Sequence, residues 1–314
     1  MIEVALMIEG QNGLNWHRWK RIVKATEVLG FAGLYRSDHY TNSKPPDKDS
    51  LELWVSLTWL AIHTQRIEFG PLVTPVSFRH PTMTARMAAA VDDLSDGRLV
   101  LGLGAGWQER EHTNYGRDLL EIPQRFDRFE EGLQVITSLL KSDAPVDFQG
   151  DYFQLKEGIL LPRPSRPGGP PILIGGNGPK RTLPLAARFA DEWNAVYIPI
   201  EKIKELNTHL DELILQNGRH PSEVKRSLMT GCVYGLDTLN LEQKVKNRTH
   251  GKRTPDELRE KGLIVGTASE MVDQLGKLAE VGIQQVMLQW LDLDDLDGLE
   301  GIGDYVLPQL CVRR

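Results

Sequence analysis

A polar cluster follows the second predicted strand of the chain. Asp38 and His39 come directly after the predicted strand Gly33–Ser37. An imidazole next to a carboxylate can exchange a proton near neutral pH, and the carboxylate can orient the ring. The same residues also suit an ordinary loop that Asp38 caps, with His39 as a satisfied loop residue. We predict His39 and Asp38 as catalytic residues.

Alternating glycines end the fourth predicted strand. Gly102, Gly104 and Gly106 would let a planar ligand approach the backbone closely, and they equally suit tight packing in a barrel. The pattern differs from a dinucleotide-binding fingerprint, because Trp107 stands where that fingerprint requires glycine. The segment therefore predicts either a ligand-lining backbone or a packed one.

A second glycine-rich segment ends the fifth predicted strand and leads into a helix. Gly176 and Gly178 offer backbone amides, and Lys180 and Arg181 add positive charge. Such a combination at a helix N-terminus is typical of an anion site. A glycine turn with solvated cations is the alternative. We predict a phosphate site here, although barrels more often bind phosphate after strands seven and eight.

These segments need a fold that brings them together. Short strand patterns alternate with amphipathic helical patterns along the chain. This alternation predicts parallel strands joined by helical crossovers, and eight such units predict a closed α/β barrel, the (β/α)8 TIM barrel. In this fold the C-terminal ends of the strands carry the chemistry. The predicted strands are Val4–Ile8, Gly33–Ser37, Ile67–Val73, Leu99–Leu103, Ile172–Gly175, Trp193–Ile198, Ser227–Tyr234 and Gln285–Trp290.

The chain is longer than a minimal barrel, which needs about 250 residues. We expect insertions after strand four at Ala105–Gln124, before strand five at Ala144–Pro171 and after strand seven at Asp237–Gly266. No shift in composition marks a second domain. Residues 1–314 are therefore predicted to form a single barrel domain.

Several helices are predicted from apolar spacing or from capping signals. Apolar residues from Phe126 to Leu140 recur at spacings of three and four. Thr267 and Glu270 form a capping box at the start of another helix. A further apolar stripe, which Pro81 opens, consists of Met83, Met87, Val91 and Leu94.

The composition excludes several classes of protein. The 314 residues are 40% hydrophobic and 25% charged, with a formal net charge of -6. This mild acidity argues against a nucleic-acid partner and against an anionic membrane surface, and no apolar run reaches the roughly 18 residues of a spanning helix. Two cysteines, Cys232 and Cys311, exclude a disulfide scaffold and fit the reducing cytoplasm. The eight histidines show no metal-ligand spacing.

Taken in order and spacing, several motifs resemble the luciferase-like flavin superfamily, and more closely its deazaflavin-dependent oxidoreductases, which use coenzyme F420. The similarity extends over about residues 1–290. The motifs are Ser37-Asp38-His39, Val73-Thr74-Pro75, Phe78-Arg79-His80-Pro81, Ser95-Asp96-Gly97-Arg98-Leu99, Gly102-Leu103-Gly104-Ala105-Gly106-Trp107, Arg125-Phe126-Asp127-Arg128, Gly150-Asp151-Tyr152-Phe153, Pro171-Ile172-Leu173-Ile174-Gly175-Gly176 and Ala190-Asp191-Glu192-Trp193-Asn194.

The resemblance implies an oxidoreductase that transfers hydride between a deazaflavin and a small-molecule substrate. It implies that Ser37, Asp38 and His39 meet the ring, with His39 as proton donor or base. It also implies a non-prolyl cis peptide near Leu72–Val73 that supports the ring. The other implied cofactor contacts are Leu72, Val73, Thr74, Gly104, Ala105, Gly106, Gly176, Asn177, Gly178 and Lys180.

One position departs from the family pattern. Members that oxidise sugar phosphates carry a catalytic glutamate just after the fourth-strand glycines, where this chain has Trp107, so another substrate is favoured. An FMN-dependent monooxygenase of the same fold is the alternative function. A non-catalytic flavin-binding or partner subunit is the second alternative, which the retained Asp38 and His39 argue against. The substrate stays open, and a homodimer is one candidate assembly.

Overall fold

Most strands of the main sheet are short and buried on both faces, as expected of parallel strands covered by helices. The computed structural model describes residues 2–311. In chain order, its strands are β1 (Glu3–Ile8), β2 (Gly33–Arg36), β3 (Glu68–Pro71), β4 (Thr74–Pro75), β5 (Leu101–Gly104), β6 (Val146–Gln149), β7 (Gln154–Gly158), β8 (Ile172–Gly175), β9 (Glu192–Val196), β10 (Lys225–Tyr234), β11 (Ile264–Gly266) and β12 (Gln285–Gln289).

The main sheet is parallel and runs in the order β3-β2-β1-β12-β10-β9-β8-β5-β4, with β11 attached to β10. Its third barrel strand is divided into β3 and β4 by a cis peptide between Leu72 and Val73. β3 pairs with β2, β4 pairs with β5, and a parallel bridge joins Phe69 to Leu99. The barrel closes through these contacts. The predicted eight-stranded barrel and the cis peptide are both confirmed.

Helices surround the barrel and bury their apolar faces against it. Short 3-10 helices occur at Gly10–Asn12 and Pro221–Glu223. The α-helices are α1 (Trp16–Val28), α2 (Leu53–His63), α3 (Pro81–Leu94), α4 (Glu109–Asn114), α5 (Ile122–Lys141), α6 (Thr182–Phe189), α7 (Ile200–Gln216), α8 (Thr238–Thr249), α9 (Pro255–Arg259), α10 (Ala268–Glu280), α11 (Leu296–Tyr305) and α12 (Leu307–Cys311).

Two apolar layers stabilise the barrel. A small inner cluster, which includes Met7, Tyr35, Leu173 and Met287, fills the inside of the strand ring. A larger outer cluster joins the strands to the helices. Met7, Leu72 and Met229 of the inner cluster also border an open space at the C-terminal ends of the strands.

The helical predictions succeed for α5 and α10 and fail in part for α3. α5 buries Phe129, Leu133 and Ile136, and Glu270 accepts a hydrogen bond from the Thr267 amide N–H at 2.8 Å at the start of α10. Pro81 opens α3 as predicted, but of the predicted stripe only Val91 is buried, and Met87 is partly buried. Met83 and Leu94 are 50% and 48% exposed, and the buried face carries Ala85, Ala88 and Ala89 instead. These small side chains let α3 pack closely between α2 and α5.

The three segments expected as insertions hold their own secondary structure. Residues 105–124 contain α4, and residues 144–171 contain the antiparallel hairpin β6–β7. Residues 237–266 contain α8, α9 and β11. Leu241 and Leu258 of this last segment pack against Val233 in a separate apolar cluster, which anchors it on β10. Across residues 2–311, no helix has the length and apolar character needed to cross a membrane.

Candidate active site

A cavity of about 560 Å³, here called the main cavity, opens at the C-terminal ends of the barrel strands. This volume is within the range of about 300–1,000 Å³ typical of cofactor and small-molecule sites. Residues that end or follow several strands line it, including Ser37, Gly104, Gly175, Val196 and Gln289. The main cavity therefore lies where barrel enzymes place their chemistry.

His39 lies in the wall of the main cavity and is held by a carboxylate from a distant loop. Its Nδ1 is 2.8 Å from Glu111 Oε1, and Glu111 Oε2 accepts the Tyr40 amide N–H at 2.9 Å. The Glu111 side chain is 1% exposed. The Trp107 ring meets the imidazole edge-on, with 5.5 Å between ring centroids. Within residues 2–311 the hydrogen bonds of the imidazole all use Nδ1, which leaves Nε2 for a ligand.

The environment of His39 favours its protonated form. Burial lowers the pKa of His39, but the hydrogen bond and the charge of Glu111 raise it further than burial lowers it. The net pKa lies above the ordinary value of an imidazole. His39 can therefore donate a proton from Nε2 near neutral pH or accept one there.

Asp38 faces away from the main cavity. Its carboxylate accepts a hydrogen bond from the Thr74 hydroxyl at 2.6 Å and pairs with the Arg79 guanidinium. Arg79 also contacts Glu52 at 3.1 Å. Asp38 lines a smaller cavity of about 260 Å³ on the other side of His39. The geometry thus gives Asp38 the contacts of a residue that fixes the loop, and its predicted role in catalysis stays a prediction.

The floor of the main cavity contains Leu72 and Val73, at the cis peptide. The glycines opposite are needed for packing here: a Cβ on Gly102 would collide with the Pro71 carbonyl oxygen, and one on Gly104 would lie 2.6 Å from Val73 Cγ2. Gly106 has a φ of +85°, a conformation that favours glycine. Gly104, Ala105 and Gly106 all line the cavity, so the two interpretations of the alternating glycines are compatible.

The predicted phosphate segment borders the main cavity only in part. Gly176 lines it, and so does Thr182 at the start of α6. The Asn177 side chain is bonded to the Val196 backbone at 2.6 and 2.9 Å. Lys180 is exposed. Five of the predicted contacts are not among the residues that line this cavity: Asp38, Thr74, Asn177, Gly178 and Lys180.

A hydrogen-bonded chain of polar side chains borders the cavity opposite this loop. The Tyr197 hydroxyl donates to Gln289, and Gln289 Nε2 donates to Glu9 Oε1 at 2.6 Å. Gln11 donates to Glu9 Oε2 at 2.9 Å and accepts from the Ser37 hydroxyl at 2.7 Å. Ser37 is therefore fixed by this network.

Arg125 brings a positive charge to the wall of the main cavity. Its guanidinium donates to the Leu120 carbonyl at 2.9 and 3.0 Å and to the Gly106 carbonyl at 3.2 Å. Among the described residues its hydrogen-bond partners are carbonyl oxygens, and no carboxylate forms an ion pair with it. An uncompensated guanidinium in a cavity wall suits an anionic group of a ligand.

Sequence reasoning missed Glu111 and Arg125. Glu111 lies in the predicted insertion after strand four, a region where a barrel brings loops to its active site. No local pattern showed that its carboxylate would meet His39. Arg125 belongs to a motif that carried the resemblance, but no role was assigned to it. In residues 2–311 no three His, Cys, Asp or Glu side chains are grouped so that they could hold a metal ion.

Comparison with known proteins supports the same picture. A family model described as luciferase-like monooxygenase matches residues 2–245. The chain is 27% identical over 320 residues to an F420-dependent glucose-6-phosphate dehydrogenase from Amycolatopsis mediterranei, and the match covers 92% of each chain. It is 31% identical over 184 residues to a 5,10-methylenetetrahydromethanopterin reductase from Archaeoglobus fulgidus, covering 59% of this chain and 50% of the relative.

A solved structure shows the same fold over almost the whole chain. An F420-dependent secondary alcohol dehydrogenase, solved in complex with an F420-acetone adduct, superimposes with a TM-score of 0.85. The superposition covers 98% of this chain and 99% of the other at 21% sequence identity. At this identity the likeness establishes the barrel fold alone.

Proposed function

The chain belongs to the luciferase-like monooxygenase family, and from this premise we propose that it is an F420-dependent oxidoreductase that moves a hydride between the deazaflavin and an organic substrate. Two relatives of different substrate class carry names of enzymes that transfer hydride. The observation that carries the proposal is that the His39–Glu111 pair lines the same cavity as the apolar side chains of Leu72 and Val73. This places a proton-transferring group next to a surface on which a planar ring can lie.

The main cavity fits the ring system in a second respect. Asn194 is fully buried in its wall and donates to the Ser227 hydroxyl at 2.8 Å. Its Oδ1 has no hydrogen-bond partner among the described residues. A buried acceptor without a partner costs free energy. A ring that carries an N–H would supply the missing donor.

When bound, the deazaflavin supplies a ring carbon that gives or takes a hydride. His39 exchanges a proton at Nε2 with the reacting group of the substrate, which keeps the charge balanced. Glu111 fixes the imidazole through Nδ1 and stabilises its protonated form. Leu72 and Val73 would contact the ring, and the other walls of the cavity would position the substrate against it.

We place the cofactor's phosphate at the Gly176–Gly178 loop. Gly176 and Thr182 border the main cavity where α6 begins, and the helix N-terminus favours negative charge. Lys180 adds charge from the surface of the same loop. Asn177 supports the loop through its two bonds to the Val196 backbone.

Equilibrium titration with F420 and with FMN, followed by fluorescence quenching, tests the proposal. We expect F420 to bind more tightly, and we expect the bound F420 to change its absorbance on mixing with a reducible or oxidisable substrate. Tighter binding of FMN would favour the monooxygenase alternative instead. Failure of both cofactors to bind would favour a non-catalytic partner subunit.

We further propose that two copies of the chain associate through α2. This helix, Leu53–His63, contains no Lys, Arg, Asp or Glu, yet Val55 and Ile62 are 58% and 60% exposed. Met83 of the neighbouring α3 is also half exposed. A two-fold interface uses the same surface patch on both subunits. A charged patch would therefore place like charges opposite each other, whereas the uncharged apolar face of α2 does not.

Sedimentation velocity checks this assembly. Wild-type protein should sediment as a dimer, and the double variant Val55→Asp with Ile62→Asp should sediment as a folded monomer. Val28→Asp is the matched control, because Val28 is a 73% exposed valine on α1. A monomeric wild type, or a dimer that the double variant retains, contradicts the assembly.

A further inference from the structure

A second cavity, of about 370 Å³, lies between the end of β10, helix α8 and the segment after β12. We call it the α8 cavity. Cys232 and Tyr234 border it from β10, Lys244 and Arg248 from α8, and Trp290 from beyond β12. None of the functions assigned above uses it.

The polar groups that this cavity leaves without a partner are hydrogen-bond donors. Trp290 is 4% exposed, and its indole N–H has no acceptor among the described residues. Asn247 accepts from Gln243 at 2.8 Å through Oδ1, so its NH₂ group remains available. Arg248 donates to the Cys232 carbonyl at 2.8 Å through one nitrogen, and a guanidinium has five N–H groups. These three groups therefore favour a ligand that accepts hydrogen bonds.

The lining of the cavity holds two cations, Lys244 and Arg248, and two carboxylates, Asp292 and Asp295, and Arg248 is the cation that forms no ion pair among the described residues. Lys244 is paired with Asp295 at 2.6 Å, and Asp295 also caps α11. Among the described residues, no carboxylate lies within ion-pair distance of Arg248. Asp292 is exposed at the rim, where water screens its charge. One uncompensated guanidinium matches a monoanion, whereas a dianion would add a negative charge near Asp292 and Asp295.

The α8 cavity adjoins the main cavity at Tyr197. Tyr197 lines the main cavity and donates its hydroxyl hydrogen to Gln289. Burial raises the pKa of Tyr197 to about 12, although the neighbouring Arg248 opposes this effect, so the phenol stays neutral. Arg248 is therefore a neighbour of Tyr197, which lines the same main cavity as His39.

We propose that the α8 cavity binds a carboxylate of the substrate, so that the enzyme acts on small organic acids with a single carboxylate at this end. The inference rests on the proposed function and names its substrate class. The planar guanidinium of Arg248 matches the geometry of a carboxylate. Trp290 and Asn247 add donors to the same group, and the apolar side chains of Val233 and Leu291 surround the adjoining carbons.

Calorimetric titration of the F420-loaded protein with three related probes tests the site. The probes are 3-phenylpropionate, the neutral 3-phenylpropanamide and the dianion phenyl phosphate. We expect the carboxylate to bind at least tenfold more tightly than either other probe. Arg248→Gln should weaken carboxylate binding by about 10- to 100-fold, since it removes a charge-assisted contact. Trp290→Phe should give a smaller loss, because it removes one neutral donor.

Lys246→Gln is the matched control, because Lys246 is an exposed cation on the same helix that does not line the cavity. It should change carboxylate binding less than twofold. Equal binding of the acid and its amide, or an Arg248→Gln variant that binds the acid normally, would overturn the proposal. So would tighter binding of phenyl phosphate, because the charge count would then be wrong.

A separate F420 titration of Arg248→Gln separates this inference from the proposed function. Its F420 affinity should equal that of the wild type. A parallel loss of F420 affinity would assign the cavity to the cofactor and reject a substrate site. If wild-type protein binds no F420, the proposed function fails, and the probe titrations repeated on the cofactor-free chain still decide whether the cavity binds carboxylates.

Discussion

The wall that holds His39 and the loop from Gly176 to Lys180 border the same cavity but are built in opposite ways. His39 depends on a side chain from far along the chain, since Glu111 is buried at 1% exposure and contacts both the imidazole and the Tyr40 backbone. The loop depends on its own backbone and on an exposed Lys180. The Asn177 side chain of this loop forms its hydrogen bond with the Val196 backbone at the end of β9 and does not line the cavity.

This difference separates the control of reaction rate from the control of affinity. In the wall, buried partners fix the position and the protonation of the His39 imidazole. Because the site is buried, water cannot replace a hydrogen bond that a substitution there removes. The backbone amides of the loop remain available as hydrogen-bond donors when a side chain is replaced, and water weakens the attraction between an exposed cation and a bound anion. We therefore expect changes in the His39 wall to alter rate, stability or pH dependence strongly, and changes in the loop to alter affinity weakly.

His39→Ala should have the largest effect. It removes the group that exchanges a proton with the substrate, and such catalysis contributes about 10²–10⁴-fold to turnover. The single-turnover rate of F420 oxidation or reduction should fall by that factor, while F420 affinity changes far less. His17→Ala is the control, because His17 is exposed and distant from the cavity lining. A rate within about threefold of the wild type would make His39 a structural residue.

Asp38→Asn tests whether the second carboxylate of the wall serves stability. The Asp38 side chain is 3% exposed and pairs with Arg79. The substitution removes the buried charge and leaves Arg79 only its contact with the half-exposed Glu52, so we expect a loss of about 1–3 kcal/mol in the free energy of unfolding. Urea denaturation should show this loss. Unchanged stability combined with a large loss of rate would instead support a direct catalytic role for Asp38.

Glu111→Gln should shift the pH dependence of the reaction. Because Glu111 raises the pKa of His39 against the effect of burial, its replacement lowers that pKa. Oxidation of the substrate needs neutral His39, so its rate rises as pH passes through the pKa, and in the variant this rise should occur at lower pH. The loss of rate should be about 10-fold, below that of His39→Ala. An unshifted profile would mean that another group titrates.

The barrel could be predicted from the sequence because its signals are local. Each strand is a short apolar run, and each crossover helix has its own periodicity or cap, as the Thr267–Glu270 box shows. The predicted apolar stripe of α3 is only partly buried, because apolar spacing defines a face of a helix but does not show which elements pack against that face. Met83 is half exposed on the surface of the barrel, and alanines form the buried contacts of α3 with the neighbouring helices.

The candidate site was predictable only where one segment supplies it. His39 lies just after the C-terminal end of a strand, and in a barrel the residues at this end line the active site. Glu111 is 72 positions further along, and nothing in its local sequence indicates which side chain α4 will approach. Arg248 and Trp290 are likewise distant in the sequence but line one cavity in the folded chain. Long-range pairs of this kind depend on loop paths that periodicity does not encode.

Lys180→Ala should have the smallest effect and completes the comparison of wall and loop. Lys180 is exposed, so its attraction to a bound phosphate is that of a surface ion pair, worth about 0.2–1 kcal/mol. F420 affinity should therefore fall about 1.5- to 5-fold, and the single-turnover rate at saturating cofactor should not change. Lys204→Ala, which removes an exposed lysine from α7, should leave both unchanged. Raising the ionic strength should abolish the difference between Lys180→Ala and the wild type, since salt screens exposed charges. A loss of affinity above about 50-fold would show that Lys180 folds over the phosphate on binding, and the contrast between a buried wall and a solvated loop would then hold only for the cofactor-free protein.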